Sequence, residues 1–339
     1  MVTQPLRTMA EVASRVTRRV RFMRSTLGVR YGRLRGLALC PPGLISVSTM
    51  TGPTLPAPLV STQWLADHLG ADDLLVIDAT VLPSVQPNGR PGYLSGHEQY
   101  IIDGHIPGAV FADLIEVFSD PTGAYPFTRP TTLQFEDAAG SVGVSNETTV
   151  VVYDNVVGQW ASRLWWLFRA CGYDNVAVLD GGLLKWRSEE RETDIGHLEP
   201  VAATFTATER PELWVDKAFV ESVVAGDAEA ALVCALPPAE FSGEAGHRAR
   251  LGHIPGSVSA PAGRLVDRTT NAYLSEDALR SAFAPVLSQE RIVTYCAGGI
   301  AAASDALALT LLGHRDVAIY DASLNEWAAD TDLPLATEA

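Results

Sequence analysis

The sequence predicts an α/β protein made of two tandem domains of one kind, each a parallel sheet with helices on both faces. Three observations carry this expectation. The pentapeptide Gly104-His105-Ile106-Pro107-Gly108 recurs as Gly252-His253-Ile254-Pro255-Gly256, 148 residues later. Short apolar runs rich in β-branched residues flank both copies in the same order. Helical stretches alternate with those runs, which is the pattern of parallel strands joined by helical crossovers.

The elements follow in chain order. Residues 1–57 read as a basic, disordered N-terminal extension, with Met50 the expected start of the folded protein; a transit-like leader is the other reading, since the segment lacks the apolar core of a secretory signal. The first domain is expected over 58–190. Its buried strands are Leu74-Leu75-Val76-Ile77-Asp78, Val150-Val151-Val152-Tyr153-Asp154 and Val176-Ala177-Val178-Leu179-Asp180, with a helix at 159–171 between the last two. Residues 191–212, rich in charge, Thr and Pro, read as a linker. The second domain, 213–335, repeats the series with Ala231-Leu232-Val233-Cys234, Arg291-Ile292-Val293-Thr294-Tyr295-Cys296, a helix at 300–312 and Val317-Ala318-Ile319-Tyr320-Asp321.

Composition narrows the function. The chain has 339 residues, a net charge of −15 and a mean hydropathy of +0.10. Residues 1–49 hold nine arginines against Glu11, a net +8 that leaves −23 on the remainder. A body that acidic repels phosphate backbones, so nucleic acid is excluded as its partner. With no apolar run of membrane-spanning length, no membrane partner is expected. The four cysteines, 40, 171, 234 and 296, form no close-spaced pair. That argues against a disulfide framework or a zinc site and fits the cytosol.

The chemistry concentrates where the repeats differ. The first ends its third matched strand in Asp154, the second in Cys296, followed by Ala297-Gly298-Gly299-Ile300-Ala301 and an alanine-rich helix. Ligands of open α/β sheets bind outside the carboxyl ends of strands. Glycines there let backbone N–H groups curl inward, and the helix adds its positive end, so the loop forms an anion nest that favours a thiolate. His105 and His253, identical in the two repeats, read as turn supports. Trp165, Trp166, Trp186 and Trp327 read as core, as does Cys171. Cys234 reads as a packed small residue, with a resolving thiol the sharper alternative.

The paired Gly-His-Ile-Pro-Gly motifs, Leu179-Asp180-Gly181-Gly182 before Trp186, the Trp165-Trp166 helix and a cysteine loop in the second half alone resemble the tandem-domain rhodanese family, which contains the thiosulfate and 3-mercaptopyruvate sulfurtransferases. The resemblance spans about residues 58–330. It implies a non-catalytic first domain and a catalytic second one. Cys296 would take a sulfane sulfur from a small anionic donor as a persulfide and pass it to cyanide or a thiol, without metal or cofactor. It also implies donor binding by Ala297, Gly298, Gly299, Ile300 and Ala301, with Arg248 and Arg250 as the nearby cations. The loop lacks the cations of thiosulfate-type members and the hydroxyls of mercaptopyruvate-type members. Glu240, before Phe241, stands where the family tends to place an arginine.

Two other classes compete. A cysteine phosphatase of this fold needs Cys-x5-Arg, and the sixth residue after Cys296 is Ala302. A weak or non-catalytic persulfide carrier or interaction module is the alternative that Glu240 and the apolar loop motivate.

Overall fold

The computed structural model describes residues 52–338, Asn88 excepted. The basic extension over residues 1–49, and the reading of it, lie outside the described residues. The described chain falls in one compact unit that contains two five-stranded parallel sheets and a separate hairpin.

The first sheet is built from β1 (Leu59–Val60), β2 (Leu74–Asp78), β5 (Val110–Phe111), β6 (Thr149–Tyr153) and β7 (Val176–Leu179), in the order β1-β7-β6-β2-β5. The second comprises β8 (Trp214–Val215), β9 (Ala231–Cys234), β10 (Val258–Ser259), β11 (Arg291–Tyr295) and β12 (Asp316–Tyr320), and its order, β8-β12-β11-β9-β10, repeats the first strand for strand. Cys234 and Asp78 end matched strands. Cys296 and Asp154 each follow the central one.

Helices, among them α2 (His97–Ile102), α6 (Lys217–Ala225), α8 (Glu276–Phe283) and α10 (Ser323–Trp327), cover both faces, and alternation along β6 shows it. Val150 and Val152 belong to the core beneath α4 (Gln159–Ala170). Val151 and Tyr153 belong to the opposite core with Leu65 of α1 (Thr62–His68) and Trp186 of α5 (Gly182–Ser188). A strand buried on both faces has no polar side to show, which is why its sequence is a continuous apolar run. Trp165, Trp166, Trp186 and Trp327 are all buried, whereas Cys171 at the end of α4 is only partly so.

The halves meet through α4 and α9 (Ala301–Leu311). Ala302, Ala303, Ala306 and Ala308 are fully buried and let α9 lie close to its own sheet and to α4 at once. The aspartates that follow the matched strands β7 and β12 each reach across. Asp180 accepts the Tyr273 N–H at 2.8 Å, and Asp321 accepts the Arg129 N–H at 2.9 Å. Residues 191–212 are laid along the first domain, with His105 and Asp194 bridged backbone to backbone. The C-terminal tail repeats this on the second domain through His253 and Ala336. No helix among the described residues is long and apolar enough to cross a membrane.

The hairpin β3 (Val81–Val85) and β4 (Pro91–Ser95) has no counterpart in the second half and is an unexpected element. Pro83 and Pro91 hide it from sequence reading, because proline lacks the ladder N–H and is tolerated only on edge strands.

Buried acids make the fold pH-sensitive. Asp305, inside α9, is wholly buried, and neither carboxylate oxygen has a hydrogen-bond partner among the described residues. Burial pushes its carboxyl well above the ordinary range. Asp78 is pushed up to about 6, also by burial, against the opposing hydrogen bonds from Thr80. Each group keeps its proton in the folded state to a higher pH than in the unfolded chain, which gives it up near about pH 4, so its contribution is fullest below that pH and is lost as pH rises through the folded value. Asp305→Asn, which cannot ionise, should therefore raise the unfolding temperature more at about pH 8 than at about pH 5. Thermal denaturation followed by circular dichroism checks this, and an equal shift at both pH values contradicts it.

Candidate active site

Cys296 leaves the central strand of the second sheet at its carboxyl end and is 2% exposed at the floor of a cavity of about 710 Å³. Its own N–H donates to Ser323 Oγ at 3.1 Å, and its carbonyl accepts the Leu324 N–H at 3.2 Å. Ser323 is fully buried, sits at φ +53° and donates from the same hydroxyl to the Tyr320 carbonyl at 2.7 Å. A non-glycine residue in that left-handed conformation is held there by its surroundings, and here the hydroxyl fixes the start of the cysteine loop.

The loop from Cys296 to α9 has the same length as that from Asp154 to α4, and the first copy shows what such a loop binds. The Asp154 carboxylate accepts the N–H groups of Val156, Gly158, Trp160 and Ala161 at 2.8–3.0 Å. The carboxyl fills its own nest: burial raises its pKa, and the four N–H groups oppose that rise. In the second copy the residue in that place is Cys296. Among the described residues, the amides of Ala297, Gly298, Gly299 and Ile300 donate no hydrogen bond. They sit at the positive end of α9, where a thiolate, a persulfide anion or a donor oxygen meets the charge distribution that Asp154 meets in the first copy.

The cavity is lined from both halves. Ala297, Gly298, Ile300 and Ala301 line it with Cys296, and so do Glu240, His247, Arg248 and Asn325. Gly299 turns away from it: the φ of +77° aims its carbonyl at Arg163 Nη1, 3.4 Å away. A Cβ on Gly299 would lie 2.7 Å from the Asp321 carbonyl. Gly299→Ala is therefore expected to push the loop off its position and cost about a hundredfold in turnover, as misplacement by about 1 Å does. Steady-state kinetics check this, and near-wild-type turnover contradicts it.

Arg248 reaches the cavity but not as a free cation, because its Nη2 lies 3.1 Å from Glu240 Oε2. Arg250, the second arginine expected to bind substrate, is not brought to the cavity. Both its terminal nitrogens donate at 2.6 Å to backbone carbonyls of Asp330 and Leu333, which pins the C-terminal tail.

The first domain supplies the facing wall, through residues that the sequence did not single out. Gln86, Arg90 and Tyr93 come from the hairpin, Pro126 and Phe127 from the loop before α3 (Thr132–Ser141), and Gln159 and Trp160 from α4. Tyr93 packs edge-on against Phe127 and Trp160, with ring centroids 5.2 and 5.4 Å apart. Burial raises the pKa of its phenol, and the nearby negative groups of Cys296 and Glu240 add to it, so Tyr93 offers a neutral O–H. Beneath this wall the buried guanidinium of Arg163 ties the halves together. Its Nη2 bonds Asp321 Oδ1 at 2.6 Å and the Phe127 carbonyl at 3.0 Å.

The remaining chemical side chains lie elsewhere. His105 stacks on Tyr100 and His253 on Phe241, with centroids 3.9 and 3.6 Å apart, and each Nδ1 bonds a backbone carbonyl. Neither lines the cavity. Cys234 is buried, and burial pushes its thiol up to about 12; Cys171 is likewise pushed up to about 12. Neither is primed as a nucleophile.

The sequence matches the rhodanese-like domain family over residues 61–189 and again over 226–330. It is 32% identical over 282 residues to the 3-mercaptopyruvate sulfurtransferase of Escherichia coli strain K12, covering 81% of this chain and 96% of that protein. To the thiosulfate sulfurtransferase of Gallus gallus it is 33% identical over 279 residues, covering 79% and 92%. The crystal structure of an Escherichia coli 3-mercaptopyruvate sulfotransferase superposes with a TM-score of 0.70 at 31% identity, over 79% of this chain and 98% of that one. The Tum1 protein of Saccharomyces cerevisiae shares the fold, with a TM-score of 0.70 at 23% identity over 83% of this chain and 98% of that one.

Proposed function

The chain belongs to the rhodanese-like family and is a sulfurtransferase, and from that premise we propose that it carries a sulfane sulfur on Cys296 between a small anionic donor and a thiol or cyanide. The observation that carries the reading is internal to the molecule. One loop of the pair is filled by the Asp154 carboxylate, and the equivalent loop presents Cys296 with open amides. The first domain is then non-catalytic, its nest being occupied, and serves as the far wall of the cavity.

With 3-mercaptopyruvate as donor, the Cys296 thiolate attacks the donor sulfur. The carbon–sulfur bond breaks and its electron pair leaves on pyruvate as the enolate, which takes a proton from water. With thiosulfate, the sulfur–sulfur bond breaks and sulfite leaves. In the second step cyanide or a thiolate attacks the outer sulfur of the persulfide and restores the Cys296 thiolate. The amides of residues 297–300 and the end of α9 hold the negative charge throughout. Cys296 is itself 2% exposed, and removal from water strengthens these hydrogen bonds. The free thiols suit a reducing compartment such as the cytosol.

Steady-state assays with each donor and cyanide test this. Mercaptopyruvate is expected to be the better of the two, because Glu240 stands on the cavity wall and repels the thiosulfate dianion more strongly. Absence of transfer from both donors contradicts the reading.

A further inference from the structure

Beside Arg90 and His247, the wall of the cavity holds a built ion pair. Glu240, on the short helix α7 (Pro238–Ser242), and Arg248 are 29% and 16% exposed and pair at 3.1 Å. Both line the cavity with Cys296. The pairing uses half of each group. Among the described residues Glu240 Oε1 accepts no hydrogen bond, and Arg248 Nε is buried without a partner. Tyr93 lines the same cavity from the facing wall.

Such a pair offers a ligand a negative and a positive group side by side, with no net charge. A purely anionic donor gains from Arg248 and loses to Glu240. A donor carrying an ammonium one carbon away from a carboxylate gains from both, its ammonium on Glu240 Oε1 and its carboxylate on Arg248 Nη1, which donates no hydrogen bond among the described residues. Resting on the sulfurtransferase reading of Cys296, we infer that the donor best matched to this site is a zwitterionic α-amino-acid persulfide. Glu240 is then the residue that selects it over 2-oxo acids and thiosulfate.

The step balances without an added oxidant. The Cys296 thiolate attacks the outer sulfur of the donor R–S–SH and forms the new sulfur–sulfur bond. The donor's own sulfur–sulfur bond breaks and R–S⁻ leaves with the electron pair, while the proton stays on the transferred sulfur. The product is an amino-acid thiolate.

The test compares cysteine persulfide with N-acetylcysteine persulfide, which keeps the carboxylate and the persulfide but loses the ammonium. The wild-type protein should use the free-amine donor about tenfold or more better in kcat/KM, the size of one well-placed charge contact. Glu240→Gln should bring the two donors within about threefold of each other and improve use of mercaptopyruvate, while Glu240→Asp should keep part of the preference. Equal use of the two persulfides by the wild type overturns the inference, as does a preference that survives in Glu240→Gln. Loading of Cys296 by N-acetylcysteine persulfide or mercaptopyruvate, read by intact mass, separates that failure from failure of the sulfurtransferase reading, in which no donor loads the cysteine at all.

Discussion

Cys296→Ala is expected to abolish sulfur transfer, by about a thousandfold or more in kcat, because removing the group that forms the covalent intermediate removes the pathway. The fold should be indifferent to the change. Cys296 is buried at a cavity floor, its N–H bond to Ser323 is a backbone bond that alanine retains, and only one sulfur atom leaves the wall of an existing space. Cys171→Ala and Cys234→Ala are expected to keep transfer, since burial pushes each of those thiols up to about 12. Assay of the three variants, with unfolding temperatures alongside, separates lost chemistry from lost structure. Transfer that persists in Cys296→Ala would assign the sulfur to another residue.

Arg163→Met is expected to cost the most stability, about 3–5 kcal/mol, since it strands a partner of a buried ion pair. The Asp321 carboxylate would lose a 2.6 Å contact with a side chain only 3% exposed, and the Phe127 and Gly299 carbonyls would lose a donor. Phe127 and Gly299 stand on opposite sides of the contact between the halves. Turnover should therefore fall with stability as the cavity wall and the cysteine loop lose their common tether. Asp321→Asn should rescue part of the loss when combined with Arg163→Met, because the stranded charge is gone and neighbouring substitutions are not additive. Chemical denaturation of the single and double variants measures this. A loss below about 1 kcal/mol for Arg163→Met would mean that the pair is solvated and does not hold the halves together.

Much of this was legible in the sequence, and the reason is the duplication. Repeated apolar runs fixed the parallel strands, because strands buried on both faces leave no other pattern. The contrast between Asp154 and Cys296 pointed to the loop, because only one of two equivalent positions carries a thiol. What was hidden depends on contacts across long sequence distances. Arg248 and Arg250 are two residues apart and read alike, yet one meets Glu240 in the cavity and the other clamps the tail. No local signal distinguishes them. The hairpin that brings Arg90 and Tyr93 to the far wall was masked by its prolines. Arg163, inside an apolar helix, is visible as an interdomain tie only once Asp321 is placed beside it. Ser323 had a faint signal: it stands where the repeat has Gly182, which takes the same φ of +53°.

The most direct test that Cys296 carries the sulfur is the intact mass of the protein after exposure to donor without acceptor, with peptide mapping of any added sulfur. Cys296 is expected to gain one sulfur atom, lost on adding cyanide, with no gain in Cys296→Ala. Sulfur mapped to Cys171 or Cys234, or an unchanged mass with every donor, would contradict it.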